Sequence, residues 1–155
     1  MWPEFKGRDG CRTPMPWVGS APDLGFAPAG ANAAKPWLPV AETHRELAAD
    51  RQEAAADSLL KFYRNLLHWR KTQPAILHGD MQLLEVHPQV FAFVRTTNLQ
   101  RVLCVFNFSG QPAQFALPLD CQSARVLVES GLSGATLGPA SVVLAPWGGL
   151  FAQLA

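Results

Sequence analysis

Seven of the chain's thirteen prolines fall within its first 40 residues: Pro3, Pro14, Pro16, Pro22, Pro28, Pro36 and Pro39. Each proline fixes its own φ, lacks an N–H donor and pushes the residue before it out of the helical region. At this density neither a helix nor an interior strand can form, so the sequence predicts a long irregular loop. A loop of such length inside a compact domain is functional or folds over a scaffold. Three of the five tryptophans, Trp2, Trp17 and Trp37, lie in it and are expected to anchor it.

Beyond residue 40 the pattern changes twice. Residues 41–56, AETHRELAADRQEAAA, favour helix by propensity. Residues 57–74 read DSLLKFYRNLLHWRKTQP. Leu59, Leu60, Phe62, Tyr63, Leu66, Leu67 and Trp69 recur at helical spacing, with Asp57 as the expected N-cap and Pro74 as the stop. From residue 75 onward short apolar runs alternate with Pro, Gly, Asn and Ser. Seven strands are predicted, at 81–86, 89–96, 101–108, 113–118, 124–130, 141–145 and 149–154. The fold class expected is therefore mainly β: an irregular loop and one long helix, then an antiparallel β-sandwich. Domain bounds of 1–74 and 75–155 follow. VFAFV and VLCVFNF are apolar at every position rather than at alternate ones, so these strands need cover on both faces. The helix and the loop can supply part of the second cover, and the rest is expected from outside the chain.

The totals exclude several functions. With 155 residues, 48% of them apolar and 16% charged, the chain can bury a core. A formal net charge of +1 gives no electrostatic case for nucleic acid or an anionic membrane. Cys11, Cys104 and Cys121 form no CxxC, which argues against a disulfide framework and a zinc site and suits a reducing cytoplasm. No signal-peptide pattern or apolar run of membrane-spanning length is present. Phosphate-loop, HExxH and GxSxG motifs are missing, and His44, His68, His78 and His87 are dispersed. No cofactor and no metal are expected. The carboxylates read as caps and solvated charges.

The opening loop carries more. Residues 7–17, GRDGCRTPMPW, resemble the GRD-x-x-RTPM-x-W segment of the α-glucosidase and oligo-1,6-glucosidase branch of glycoside hydrolase family 13, the α-amylase superfamily. The likeness continues in order through PWLPV at 36–40, the helix and QPAILHGD to residue 80, and the closing LAPWGGLFAQL. In that family a (β/α)8 barrel holds the nucleophilic aspartate, the acid/base glutamate and a stabilising aspartate, all before the motif that opens this chain. The resemblance thus implies a C-terminal fragment: the loop after strand eight, the last barrel helix and the C-terminal β-sandwich, with no catalytic residue of its own and the missing barrel as its partner. The parent reaction would be retaining hydrolysis of terminal α-linked glucose from oligosaccharides. The arginine of RTPM matches Arg12, which the family places in the −1 sugar subsite. A guanidinium fork suits a carboxylate together with sugar hydroxyls. Arg8 and Asp9 are expected to brace the loop internally. The alternative is a stand-alone β-sandwich that binds carbohydrate through Trp147 and Phe91 or Phe93, or that docks on a separately encoded barrel.

Overall fold

The computed structural model describes residues 8–27, 30 and 36–155. Trp2, Pro3 and Pro28 lie outside the described residues. The chain divides into two compact units, Met1–Tyr63 and Arg64–Ala155.

In the first unit the described residues of the proline-dense stretch are irregular, as expected, apart from single 3-10 turns at Arg8–Cys11 and Pro22–Gly25. The predicted helix over 41–56 is two pieces, a 3-10 segment Glu42–Leu47 and helix α1, Ala49–Ala54. The break is at Ala48, which is fully buried with an extended ψ of 144°. Propensity favoured one helix, but the backbone N–H groups at the start of α1 have better partners outside it, as described below.

Helix α2 spans Leu59–Lys71. Its cap is Ser58 rather than Asp57: the Ser58 hydroxyl accepts the Lys61 N–H at 3.2 Å, the bond that satisfies an otherwise orphaned first-turn donor. The carboxyl of Asp57 is one residue too early for that bond. Pro74 does not only stop α2; it opens a further short helix, α3, Pro74–His78, where its missing N–H costs nothing.

The second unit holds eight strands: β1 Asp80–Leu83, β2 Val90–Thr96, β3 Arg101–Asn107, β4 Ala113–Ala116, β5 Ala124–Val126, β6 Ala135–Leu137, β7 Ser141–Leu144 and β8 Gly149–Leu154. Strand β6 was not predicted, because ATL is too short and too weakly apolar to announce itself. The run 124–130 is strand only to Val126 and then turns through a 3-10 segment, Val128–Ser130. The strands form a five-stranded antiparallel sheet, β1-β2-β3-β8-β5, and a three-stranded one, β4-β7-β6. The fold is the expected antiparallel sandwich. Two side-chain caps set the first hairpins. His87 Nδ1 accepts the N–H groups of Gln89 and Val90, both at 3.1 Å, and Thr97 Oγ1 accepts that of Gln100 at 3.0 Å.

The period of two sorts each strand into two faces. Leu103 and Val105 of β3, Val90, Ala92 and Val94 of β2, and Leu150, Ala152 and Leu154 of β8 face Phe115, Val142 and Leu144 of the smaller sheet. The other face carries Val102, Cys104, Phe93, Phe106 and Phe151, packed with Leu66 and Trp69 of α2 and Ala75 and Ile76 of α3. The Trp69 and Phe151 ring centroids are 4.8 Å apart. The need for a second cover, read from the unbroken apolar strands, is met there by the helices. Away from them the same face is open: Leu83 is 60% exposed and Phe108 66%.

Trp69 fills the space between α2 and the sheet, so Trp69→Ala leaves a large cavity. It is expected to cost about 3–5 kcal/mol of stability, read by urea unfolding. Burial pushes the Cys104 thiol up to about 12 from its ordinary 9.0, against a smaller opposing pull from Arg95. The unfolded thiol ionises near 9 and the folded one does not. This contribution to stability is therefore complete below that pH and is lost as pH rises toward 12, by up to about 1.4 kcal/mol per pH unit. The free energy of unfolding measured from pH 8 to 10.5 should fall more steeply for the natural chain than for Cys104→Ala.

Candidate functional site

The loop that carries Arg12 is built from its backbone. The Arg12 N–H donates to Asp9 O at 3.1 Å, closing the turn, and Arg12 Nη2 donates to Asp9 Oδ1 at 2.6 Å. Asp9 therefore braces the loop through Arg12, three residues on, and not through Arg8; consecutive residues do not face each other across a helical turn, whereas residues three apart do. The Arg12 guanidinium lies over the Trp37 ring, 5.5 Å from its centroid. Carboxylate, guanidinium and indole thus form a chain of three, with about half of the arginine side chain still in water.

Further along, Pro16 O and Trp17 O accept the N–H groups of Ala49 and Asp50, each at 3.0 Å. These are first-turn donors of α1, which have no partner inside the helix. Asp50 Oδ1 in turn accepts the Gly19 N–H at 2.9 Å, and the Arg45 guanidinium donates to Gly19 O. The loop and the helix start satisfy one another. A second clamp is the turn at Pro22–Gly25. Asp23 and Leu24 have φ of 46° and 53°, left-handed values that non-glycine residues avoid. The strain persists because the Leu24 side chain is buried and its carbonyl accepts two donors, the Trp17 and Val18 N–H groups, at 2.9 and 3.0 Å.

Of the three tryptophans expected to anchor the loop, Trp2 lies outside the described residues, and Trp17 and Trp37 are not buried in it. Trp17 is 52% exposed and Trp37 80%. The buried anchors are Leu24 and Pro14. A hydrogen-bonded carbonyl and a left-handed leucine have no signature in the sequence, whereas a tryptophan announces itself.

Arg12, Pro14, Phe26, Pro36, Trp37 and Leu38 line a cleft of about 270 Å³. Among the described residues that line it, only Arg12 is charged, and it can meet a carboxylate or hydroxyls with the donors Asp9 does not use. Three other carboxylates are in ion pairs: Glu42 with Arg45, Glu46 with Arg51 and Asp120 with Arg101. Among the described residues no group of three or more His, Cys, Asp or Glu could hold a metal ion, and no helix is long and apolar enough to cross a membrane. Phe91 and Phe93 pack on each other at 5.1 Å, the first 42% exposed.

Residues 2–79 match the family described as alpha amylase, catalytic domain, and residues 81–149 the maltogenic amylase C-terminal domain. A probable α-glucosidase of Rhizobium meliloti is 39% identical over 155 residues, all of this chain and 26% of that protein. The oligo-1,6-glucosidase of Bacillus cereus is 32% identical over 123 residues, 79% of this chain and 21% of the relative. The chain thus spans about a quarter of the length of these relatives. Among solved structures, the α-glucosyl transfer enzyme XgtA superposes with a TM-score of 0.88 at 37% identity, covering 100% of this chain and 28% of that one. The trehalulose synthase MutB of Pseudomonas mesoacidophila MX-45 does so with a TM-score of 0.80 at 30% identity, over 96% of this chain and 26% of that one. On the agreement of both matched domains, the full-length relatives and the fold, the chain belongs to the α-amylase superfamily, glycoside hydrolase family 13.

Proposed function

We propose that this chain is the C-terminal part of an α-glucosidase that hydrolyses terminal α-linked glucose of oligosaccharides with retention, and that Arg12 is its contact in the −1 sugar subsite. Residues 1–74 then belong to a (β/α)8 barrel and residues 75–155 form the domain that follows it. The observation that carries this reading is the state of Arg12. Its guanidinium is held on two sides, by Asp9 at 2.6 Å and by the Trp37 ring, yet half its side chain stands in water at a cleft whose only charged group among the described residues it is. Such a fork is oriented before any partner arrives, so little entropy is lost when a carboxylate and sugar hydroxyls complete its bonds.

The barrel is the partner this reading requires. A retaining glycosidase needs two carboxylates about 5 Å apart across the scissile bond. In this reading both belong to the barrel, and the chain by itself does not hydrolyse glycosides. The exposed apolar face of the larger sheet supports a missing neighbour: Met81, Leu83, Phe91 and Phe108 are between 42% and 66% exposed, side by side with the part that the helices cover.

The test is a chimera in which this chain replaces the matching segment of the Rhizobium meliloti relative. The isolated chain should not turn over p-nitrophenyl α-glucoside, and the chimera should. In the chimera Arg12→Ala should lower kcat/KM by about 10²–10³-fold, and Arg12→Lys should restore part of it, keeping the charge but not the fork. Turnover by the isolated chain, or an unchanged kcat/KM in the Arg12→Ala chimera, would sink the reading.

A further inference from the structure

The turn between β7 and β8 holds a bulky residue where a glycine belongs. Trp147 has φ of 58°, in the left-handed region, and its side chain is 71% exposed. The turn cannot relax, because it is tied down on every side. Gly148 N–H donates to Ala145 O at 3.0 Å, Trp147 N–H to Ser109 O at 3.1 Å and Ala145 N–H to Gly134 O at 2.7 Å. From below, the buried Asn107 donates from Nδ2 to Ala145 O at 2.9 Å and from its backbone to Gly148 O at 2.8 Å. Gly148 sits so close to the 134 turn that a Cβ there would meet Gly134 O at 2.1 Å.

Folding alone does not ask for a tryptophan at this point. Glycine would adopt the same φ without strain, and a ring left mostly in water adds little to the core. Strained, over-determined positions gather where a side chain must be presented. The indole lies beside Gly110, where a Cβ would come within 3.9 Å of Cζ2 and Nε1, so the ring rests against the 108–111 loop and has its remainder free. Phe108, 66% exposed, is two residues before that glycine, and the exposed Gln111 one residue after it. The three loops that meet here, residues 108–112, 130–134 and 145–148, contain no ionisable side chain. A fitting ligand is therefore uncharged, with a flat apolar face and a polar edge. A pyranose ring has both, in its C–H face and its hydroxyls.

We infer that Trp147 is a preformed stacking platform for a glucose unit of an α-linked oligosaccharide, with the amide of Gln111 at its polar edge. The choice of an α-linked sugar rests on the α-glucosidase reading; the platform itself rests on the turn. One exposed ring gives weak binding, with a dissociation constant on the order of 1–10 mM.

The test uses the 155-residue chain, labelled with 15N so that its indole N–H signals are resolved by NMR. Trp147→Gly identifies the Trp147 signal by its disappearance, and should melt no lower than the natural chain, because it relieves the backbone. On titration with maltotriose the Trp147 signal should shift and saturate, and cellotriose should leave it in place. In a Trp37→Ala chain the same shift should persist. An equal shift with cellotriose keeps the platform and removes the α-linked selectivity borrowed from the functional reading. No shift with either sugar to roughly ten times the expected dissociation constant overturns the platform, and leaves the Arg12 chimera result to stand or fall by itself.

Discussion

Strand β3 is buried on both faces, and the second unit is organised around that fact. Leu103 and Val105 face the smaller sheet, while Val102 and Cys104 face Trp69 and Ala75; all but Trp69, which is 8% exposed, are fully out of water. A strand with two dry faces can exist only if two separate layers come to it. One layer is the rest of the sandwich. The other is helical, and it comes from the stretch that matches the catalytic domain of the family rather than its C-terminal domain. The two matched segments are therefore joined by packing as well as by chain. Cutting between them near residue 80 would uncover Val102, Cys104 and Phe151.

The first unit follows a different physics. Its irregular stretch cannot make a ladder or a helix, so its buried polar backbone has to be satisfied piecemeal. The solution is reciprocal. Pro16 and Trp17 carbonyls take the orphan donors of α1, and Asp50 and Arg45 take the N–H and C=O of Gly19. Leu24, in a conformation it would not choose alone, closes the arrangement. The loop that carries Arg12 is held by these bonds as well as by its prolines.

Much of this was legible in the sequence. Period-two and unbroken apolar runs located seven of the eight strands, and the proline density anticipated that the described residues before 40 hold no strand or α-helix. The position of Arg12 was readable from the GRD-x-x-RTPM-x-W motif. Errors arose where a local rule met a competing tertiary bond. Alanine-rich propensity over 41–56 gave way at Ala48 because the loop carbonyls offered α1 better partners. Asp57 gave way to Ser58 because one residue of displacement decides which oxygen reaches the Lys61 N–H. Trp17 and Trp37 looked like anchors because indoles are usually buried, yet the burying was done by Leu24 and Pro14.

The sequence by itself determined the class of fold, the family and the residue proposed for the sugar subsite, because these follow from residue spacing and from a contiguous motif. Only the tertiary structure decided what Arg12 rests on, which face of the large sheet the helices cover, and that Trp147 is held left-handed and open to water. Those depend on contacts such as Asn107 with Ala145, or Gly148 with Gly134, between residues far apart along the chain. Their partners are chosen by how two layers close on each other, and no local pattern records that choice.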